Sequence, residues 1–382
     1  MVFSHYTERG WTVDNLWHIF TDFYGGQYAP LAFLSYLVLY AGFGYDPFYF
    51  HMFSLLLHIG CVCLVWKLIS SLLRVHGGVS EKQILYVNFI TTLLFAVHPI
   101  NVEAVAWISA LKVLLYAFFY LLGLLCYLRY IRTSKIFYYV LTIGCFLCSF
   151  WGKEQAVTFP LALLIVDWFT NRNMKNLEVW SEKMSFLIMA FFFGIITVLS
   201  QGKGPYEMIF PLYQRLLFGC FALVEYITKS LLPVNLNFFY PFPIVLGEEP
   251  PLHYYLYPVV LLFLMGWIIA YRNNRYLVFG VLLFLVNLLF SIHLFNMSRH
   301  AIVADRYMYL SYVGIAFLIA NGIWWLRKRL SYFKAALVFL FFYCFFLSVY
   351  TFHYTKKREN TTMVKKYTKE VLEKRLNGSN HL

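Results

Sequence analysis

The stretch FAVHPINVEAVAWIS (95–109) places His98 and Glu103 between two apolar runs. An imidazole and a carboxylate this close can relay a proton or orient a polar ligand. His98-Pro99 reads as a helix start, with proline at the first helical position, where its missing N–H costs nothing. Glu103 then falls in the second turn. A capping histidine beside an interfacial glutamate accounts for the same residues equally well. The spacing is not HExxH, so a zinc protease does not fit and no metal site is expected.

Other reactive side chains occur in similar settings. WGKEQAVTFP (151–160) sets Lys153 and Glu154 at the end of an apolar run. A lysine ammonium binds phosphate as a point charge; a solvated turn is the alternative. SRHAIVADRYMYL (298–310) offers Arg299, Asp305 and Arg306. An arginine there could grip a phosphate with two parallel hydrogen bonds, with Asp305 orienting it or acting alone; a plain Asp–Arg pair in a loop is the other reading. In NLNFFYPFP (235–243), Tyr240 could stack on a sugar or a lipid head, or belong to an interfacial aromatic belt. His51, Ser54 and His58 share one helix stripe. An ionisable residue inside an apolar helix is a functional candidate, and a neutral histidine bonded to a neighbouring helix is the alternative.

These residues are embedded in a chain of 382 residues that is 61% hydrophobic and only 13% charged. Soluble domains carry about 25% charged residues, so the composition implies an all-α polytopic membrane protein. The net charge of +13 fits loops rich in lysine and arginine on the cytoplasmic side and calls for no nucleic-acid partner. The seven cysteines sit mostly in apolar runs; Cys145 and Cys148 have CxxC spacing but read as small buried hydrophobes. No cleavable signal peptide precedes the first apolar run.

A spanning helix needs about 20 apolar residues. Candidate spans are 49–73, 84–97, 105–128, 136–151, 156–170, 184–200, 254–271, 276–295, 306–326 and 333–352. The run 30–41 is too short to span and suits an interfacial helix. The division expected is an outward N-terminal segment (1–48), a membrane domain (49–352) and a short basic tail (353–382). Arg74, Lys82, Arg129, Arg132, Lys135, Arg172, Lys175 and Lys183 mark alternate loops as cytoplasmic, so the candidate site residues face the periplasm or a lumen. The segment 213–232 contains Arg215, Glu225 and Lys229. It is expected not to span, with Glu225 and Lys229 paired at i,i+4. That assignment puts the basic tail outside. No internal repeat and no tetratricopeptide pattern is present.

Polar clusters on one side of an apolar bundle suit a substrate with a lipid tail and a polar head. At this point the sequence resembles bacterial relatives of the transmembrane-and-tetratricopeptide-repeat O-mannosyltransferases, within the GT-C glycosyltransferases. The pieces that carry the resemblance are YAPLAFLSY (28–36), FHMFSLLLH (50–58), LFAVHPINVEAVAW (94–107), GKEQAVTFPLALLIVDW (152–168), LVEYITKSLLPVNLNFFYP (223–241) and ADRYMYLSYVGIAFLIA (304–320). The resemblance implies a GT-C-like helical bundle, a polyprenyl-phosphate-linked sugar as donor, and a protein or glycan hydroxyl as acceptor. It implies a bacterial inner membrane, or the endoplasmic reticulum in a eukaryote. Three features depart from the family. A first spanning helix followed by an acidic pair has no counterpart here. After the Trp of the His-Pro motif, Lys112 is kept but the following Asp is Val113. The repeats are lacking. The base is therefore unassigned, with Glu103, His98 and Asp305 as candidates. Lys153, Arg306 and Arg299 are the expected phosphate ligands, and Tyr240, Glu154, His58 and His51 the expected contacts to sugar or lipid. A member that binds or transports a lipid-linked sugar without chemistry is the alternative.

Overall fold

A computed structural model describes residues 2, 4–201, 210–237, 239–293 and 301–357; Arg299 lies outside the described residues. The helices are α1 (His5–Glu8), α2 (Val13–Thr21), α3 (Pro30–Phe43), α4 (Pro47–His76), α5 (Glu81–Val97), α6 (Val102–Ala106), α7 (Leu111–Thr133), α8 (Ile136–Gly152), α9 (Phe159–Phe169), α10 (Leu177–Gln201), α11 (Leu212–Leu231), α12 (Leu256–Ala270), α13 (Arg275–Leu288), α14 (Met308–Trp325) and α15 (Leu330–Lys356). A short strand, β1 (Tyr240–Pro241), pairs antiparallel with β2 (Ala301–Val303), Tyr240 opposite Val303.

Helices form at each of the ten positions expected to be apolar spans, but α5, α8, α9 and α13 are each too short to cross a membrane alone, which corrects the expected ten spans. Among the described residues, six stretches are long and apolar enough to cross a membrane: Pro47–His76, Ile108–Thr133, Leu177–Ser200, Leu252–Ala270, Asp305–Lys328 and Leu330–Lys356. A seventh forms if α5 and the Pro99–Ala106 segment count as one span bent by 49°. The bend falls at His98-Pro99, where proline has no N–H to continue the helical ladder. Shorter apolar helices, α3, α8 and α13, pack among the long ones. The chain is a multi-pass integral membrane protein.

Small residues bring the helices together. A Cβ on Gly152 at the end of α8 would lie 2.7 Å from the Tyr116 backbone nitrogen in α7, and one on Gly314 in α14 would lie 2.5 Å from the Gly280 oxygen in α13. Such close backbone approach is the usual device for packing membrane helices. The N-terminal segment is folded too. Tyr6, Phe33, Tyr36 and Leu37 form a satellite core with Leu111 and Leu115 of α7, and the Tyr36 hydroxyl donates to the Ile108 carbonyl at 2.9 Å.

Helix α11 begins and ends at the same loop. At its start, the Tyr213 hydroxyl bonds Glu249 and the Gln214 amide donates to the Glu248 carbonyl. Near its end, Lys229 donates to Tyr240 at 3.1 Å. The Glu225–Lys229 pair forms at 3.1 Å. Among the described residues, α11 is not one of the helices long and apolar enough to cross a membrane.

Candidate functional site

The site is assembled where α6, α8, α11, α14 and α15 end near one another. Glu103 in α6 is 2% exposed. Its Oε1 accepts from Arg306 Nη1 at 2.7 Å, and its Oε2 accepts from the Arg306 backbone N–H at 2.7 Å. One carboxylate thus fixes both ends of one residue 203 positions away. The Arg306 guanidinium lies 5.3 Å from the Trp107 ring centre and 5.0 Å from that of Tyr307. Its side chain keeps 22% exposure, so it remains open to a ligand.

Lys153 caps α8 in an extended conformation before the 3₁₀ turn Glu154–Thr158. It is 2% exposed, and its ammonium sits 4.5 Å from the Tyr307 ring centre. Both Lys153 and Arg306 therefore lie close to the Tyr307 ring. Lys112 at the start of α7 is buried, donates to the Gln27 side chain, and lies within electrostatic reach of Glu154, Arg306 and Tyr307. Two cations foreseen from the sequence, together with Lys112, thus converge around one tyrosine. Glu154 is half-buried beside them.

Asp305 does not orient Arg306; this is a correction to the sequence reading. It is 1% exposed, and its carboxylate turns to tyrosines instead, accepting from Tyr240 at 3.0 Å and from Tyr354 at 3.4 Å. Successive residues of the Asp305–Tyr307 3₁₀ turn point in different directions, which separates the two neighbours. Tyr240 in turn accepts from the Asn237 backbone N–H at 2.7 Å and from Lys229 at 3.1 Å. Burial, and then the Asp305 carboxylate, push its phenol well above its ordinary value. It therefore stays a neutral donor. The β1–β2 pairing holds Tyr240 next to this turn.

The histidines behave differently. His98 is 1% exposed; its Nδ1 accepts from the Ile100 N–H at 3.3 Å, and its ring lies against Tyr312 at 4.2 Å. It is a cap for the turn that carries Glu103. His58 bonds the Tyr309 hydroxyl at 2.7 Å and the Ala96 carbonyl at 3.3 Å. It pins α4 to α14 and α5 from within the bundle. His51 is exposed on α4 while Ser54 and His58 are buried, so the expected three-residue stripe is split. No group of three or more His, Cys, Asp or Glu able to hold a metal occurs among the described residues.

A second polar cluster was not singled out from the sequence. Asp167 of α9 and Lys183 of α10 are both fully buried and pair at 2.5 Å. The Tyr127 hydroxyl donates to Asp167 at 2.8 Å, and Arg172 bridges Asp167 at 3.2 Å and Glu182 at 2.7 Å. The available signal was an aspartate inside the apolar run FPLALLIVDWF. Arg172 and Lys183, read as loop charges, are in fact bound into this network.

No family model matches the sequence, and no solved structure matches it. Among proteins that do match, protein O-mannosyl-transferase TMTC2 of Mus musculus is 32% identical over 189 residues, covering 45% of this chain and 21% of the relative. Its Homo sapiens counterpart is 33% identical over the same length, with the same coverage. Protein O-mannosyl-transferase Tmtc3 of Drosophila melanogaster is 28% identical over 172 residues, covering 40% of this chain and 18% of the relative. The chain is similar to protein O-mannosyl-transferases. It spans about a fifth of the length of the curated relatives it matches.

Proposed function

We propose that the protein is a membrane glycosyltransferase that moves a sugar from a polyprenyl-phosphate donor to a hydroxyl of a protein or glycan acceptor. The names of its relatives support mannose as the sugar. The observation that carries the reading is the convergence of Arg306, Lys153 and Lys112 around Tyr307, at one end of an apolar bundle. In such a transfer the acceptor oxygen bonds to the anomeric carbon while the bond from that carbon to the phosphate oxygen breaks. The electron pair leaves with the phosphate, and the acceptor proton passes to a base. Charge builds up on the phosphate, and preformed cations stabilise it there. Glu103 is a positioning residue in this scheme: it holds the Arg306 fork.

A second reading, binding without transfer, has one observation in its favour. Glu103 and Asp305 are nearly fully buried and already hydrogen-bonded, so neither is poised as a base. Sugar transfer from polyprenyl-phosphate mannose, with donor binding measured separately on the purified chain, distinguishes the two. Turnover supports the transferase, and binding without turnover supports the second reading. In either case Arg306→Lys is expected to weaken donor binding roughly tenfold, about 1.4 kcal/mol, because the planar fork is lost although the charge is kept. Lys153→Arg should be milder. Wild-type affinity for Arg306→Ala, with an unchanged thermal midpoint, would remove Arg306 from the phosphate site.

A further inference from the structure

Away from the candidate site, α11, α12, α13 and α14 enclose a cleft of about 1110 Å³. Its walls are apolar, including Leu223 and Ile227 of α11, Leu264 and Met265 of α12, Leu285 of α13 and Ile319 of α14. None of the residues of α12 is buried; this helix stands off from α13 and α14 and leaves the cleft open to the side. One end of the cleft is polar, formed by Gln83, Tyr271, Asn274, Arg327 and Lys328. A second hollow of about 500 Å³ adjoins it, shares Trp325 and Lys328 with it, and adds Arg329 and Tyr332. The Arg327 guanidinium lies 4.3 Å from the Trp324 ring centre, and that of Arg329 lies 5.8 Å from Tyr332. No acidic residue is among the described residues lining either space.

We propose that this cleft binds an anionic glycerophospholipid, with its acyl chains along the apolar walls and its phosphate at Arg327, Lys328 and Arg329. The apolar walls suit hydrocarbon chains, and three cations without a lining carboxylate suit a phosphate that carries net charge. The lipid is distinct from the sugar donor. Arg306 and Arg327 stand at opposite ends of the Asp305–Lys328 span, about 30 Å apart at 1.5 Å per residue. That is about the thickness of the hydrocarbon core. A headgroup at Arg327 therefore lies on the bilayer face opposite the Arg306 site. The proposal does not depend on the chemistry of that site.

The test uses the purified full chain incubated in detergent with dioleoyl-phosphatidylglycerol or dioleoyl-phosphatidylcholine. Retained lipid is quantified by mass spectrometry after excess is removed. Each basic residue near a headgroup contributes about 1 kcal/mol, roughly fivefold, so phosphatidylglycerol is expected to be retained at least tenfold better. The triple variant R327Q/K328Q/R329Q should bring it down to the phosphatidylcholine level. Gly322 also lines the cleft, and a Cβ there meets nothing within 4 Å, so Gly322→Phe should project into the cleft and reduce retention of both lipids. Equal retention of the two lipids by the wild type would overturn the proposal. Undiminished retention by Gly322→Phe would do so as well, as would displacement of phosphatidylglycerol by an equal concentration of polyprenyl phosphate.

Discussion

Glu103 is the residue on which the geometry of the candidate site turns. A carboxylate that is 2% exposed is tolerated when groups such as the Arg306 guanidinium and backbone N–H satisfy it. Removing one partner of a buried ion pair costs about 3–5 kcal/mol. Glu103→Ala is therefore expected to lower the thermal midpoint in detergent clearly and to loosen donor binding by freeing Arg306. Glu103→Gln, which can still accept from the Arg306 N–H, should fall between Ala and wild type. A Glu103→Ala protein as stable as wild type would show that the pair is dispensable. The residue types of this site were legible in the sequence: Glu103, Lys153, Asp305, Arg306 and Tyr240 all stood out as polar groups at the ends of apolar runs. Their pairing was not. Asp305 adjoins Arg306 in the chain yet bonds Tyr240, whereas Glu103 reaches Arg306 from 203 residues away, and only the folded bundle decides between such partners.

At the scale of elements, two breaks in the helices do the positioning. The 49° bend at His98-Pro99 turns α6 so that Glu103 meets the Asp305–Tyr307 turn that precedes α14, and the His-Pro dipeptide announced it. The other break is the end of α8, where Gly152 packs against the α7 backbone and Lys153 emerges extended. Helix positions were readable from apolar run length. The close α7–α8 contact was not, because a glycine in an apolar run says nothing about what approaches it. The contact gives a sharp expectation. A Cβ at Gly152 would lie 2.7 Å from backbone, whereas one at Gly144 in the same helix meets nothing. Gly152→Ala should therefore push α8 off α7, lower stability and weaken phosphate-donor binding together. Gly144→Ala should leave both unchanged. Identical behaviour of the two variants would mean that α8 placement does not control Lys153.

For the whole molecule, polar groups gather in two layers joined by the long helices. Helix α7 links them, since Lys112 reaches Gln27 near the candidate site while Tyr127 joins the Asp167–Lys183 network, about 22 Å further along at 1.5 Å per residue. That network contains two acids and two bases and is neutral overall, so Arg172 and Lys183 add little to orientation. The basic end of the molecule is instead marked by Arg74, Lys82, Arg129, Arg132, Lys135, Arg272, Arg275 and Arg327–Arg329. Gln83, next to Lys82, shares the polar end of the cleft with Arg327, which places the first and last of these clusters on one face. By the excess of lysine and arginine, that face is the one expected to be cytoplasmic. Helix α15 then returns the chain to the other face, because Thr351 bonds the Val97 carbonyl and Tyr354 bonds Asp305. The loop that follows α11 is expected on that same outer face, provided that α11 does not cross. Impermeant thiol labelling of intact cells decides this, using single cysteines in a version whose seven native cysteines are replaced. Leu246 is exposed in the loop that ties both ends of α11, and Ser80, Lys175 and Asn273 are exposed in the basic loops. Labelling is expected for Leu246→Cys and for no other position. If α11 crossed, Leu246→Cys would be protected and Asn273→Cys labelled, while Ser80→Cys and Lys175→Cys stayed protected.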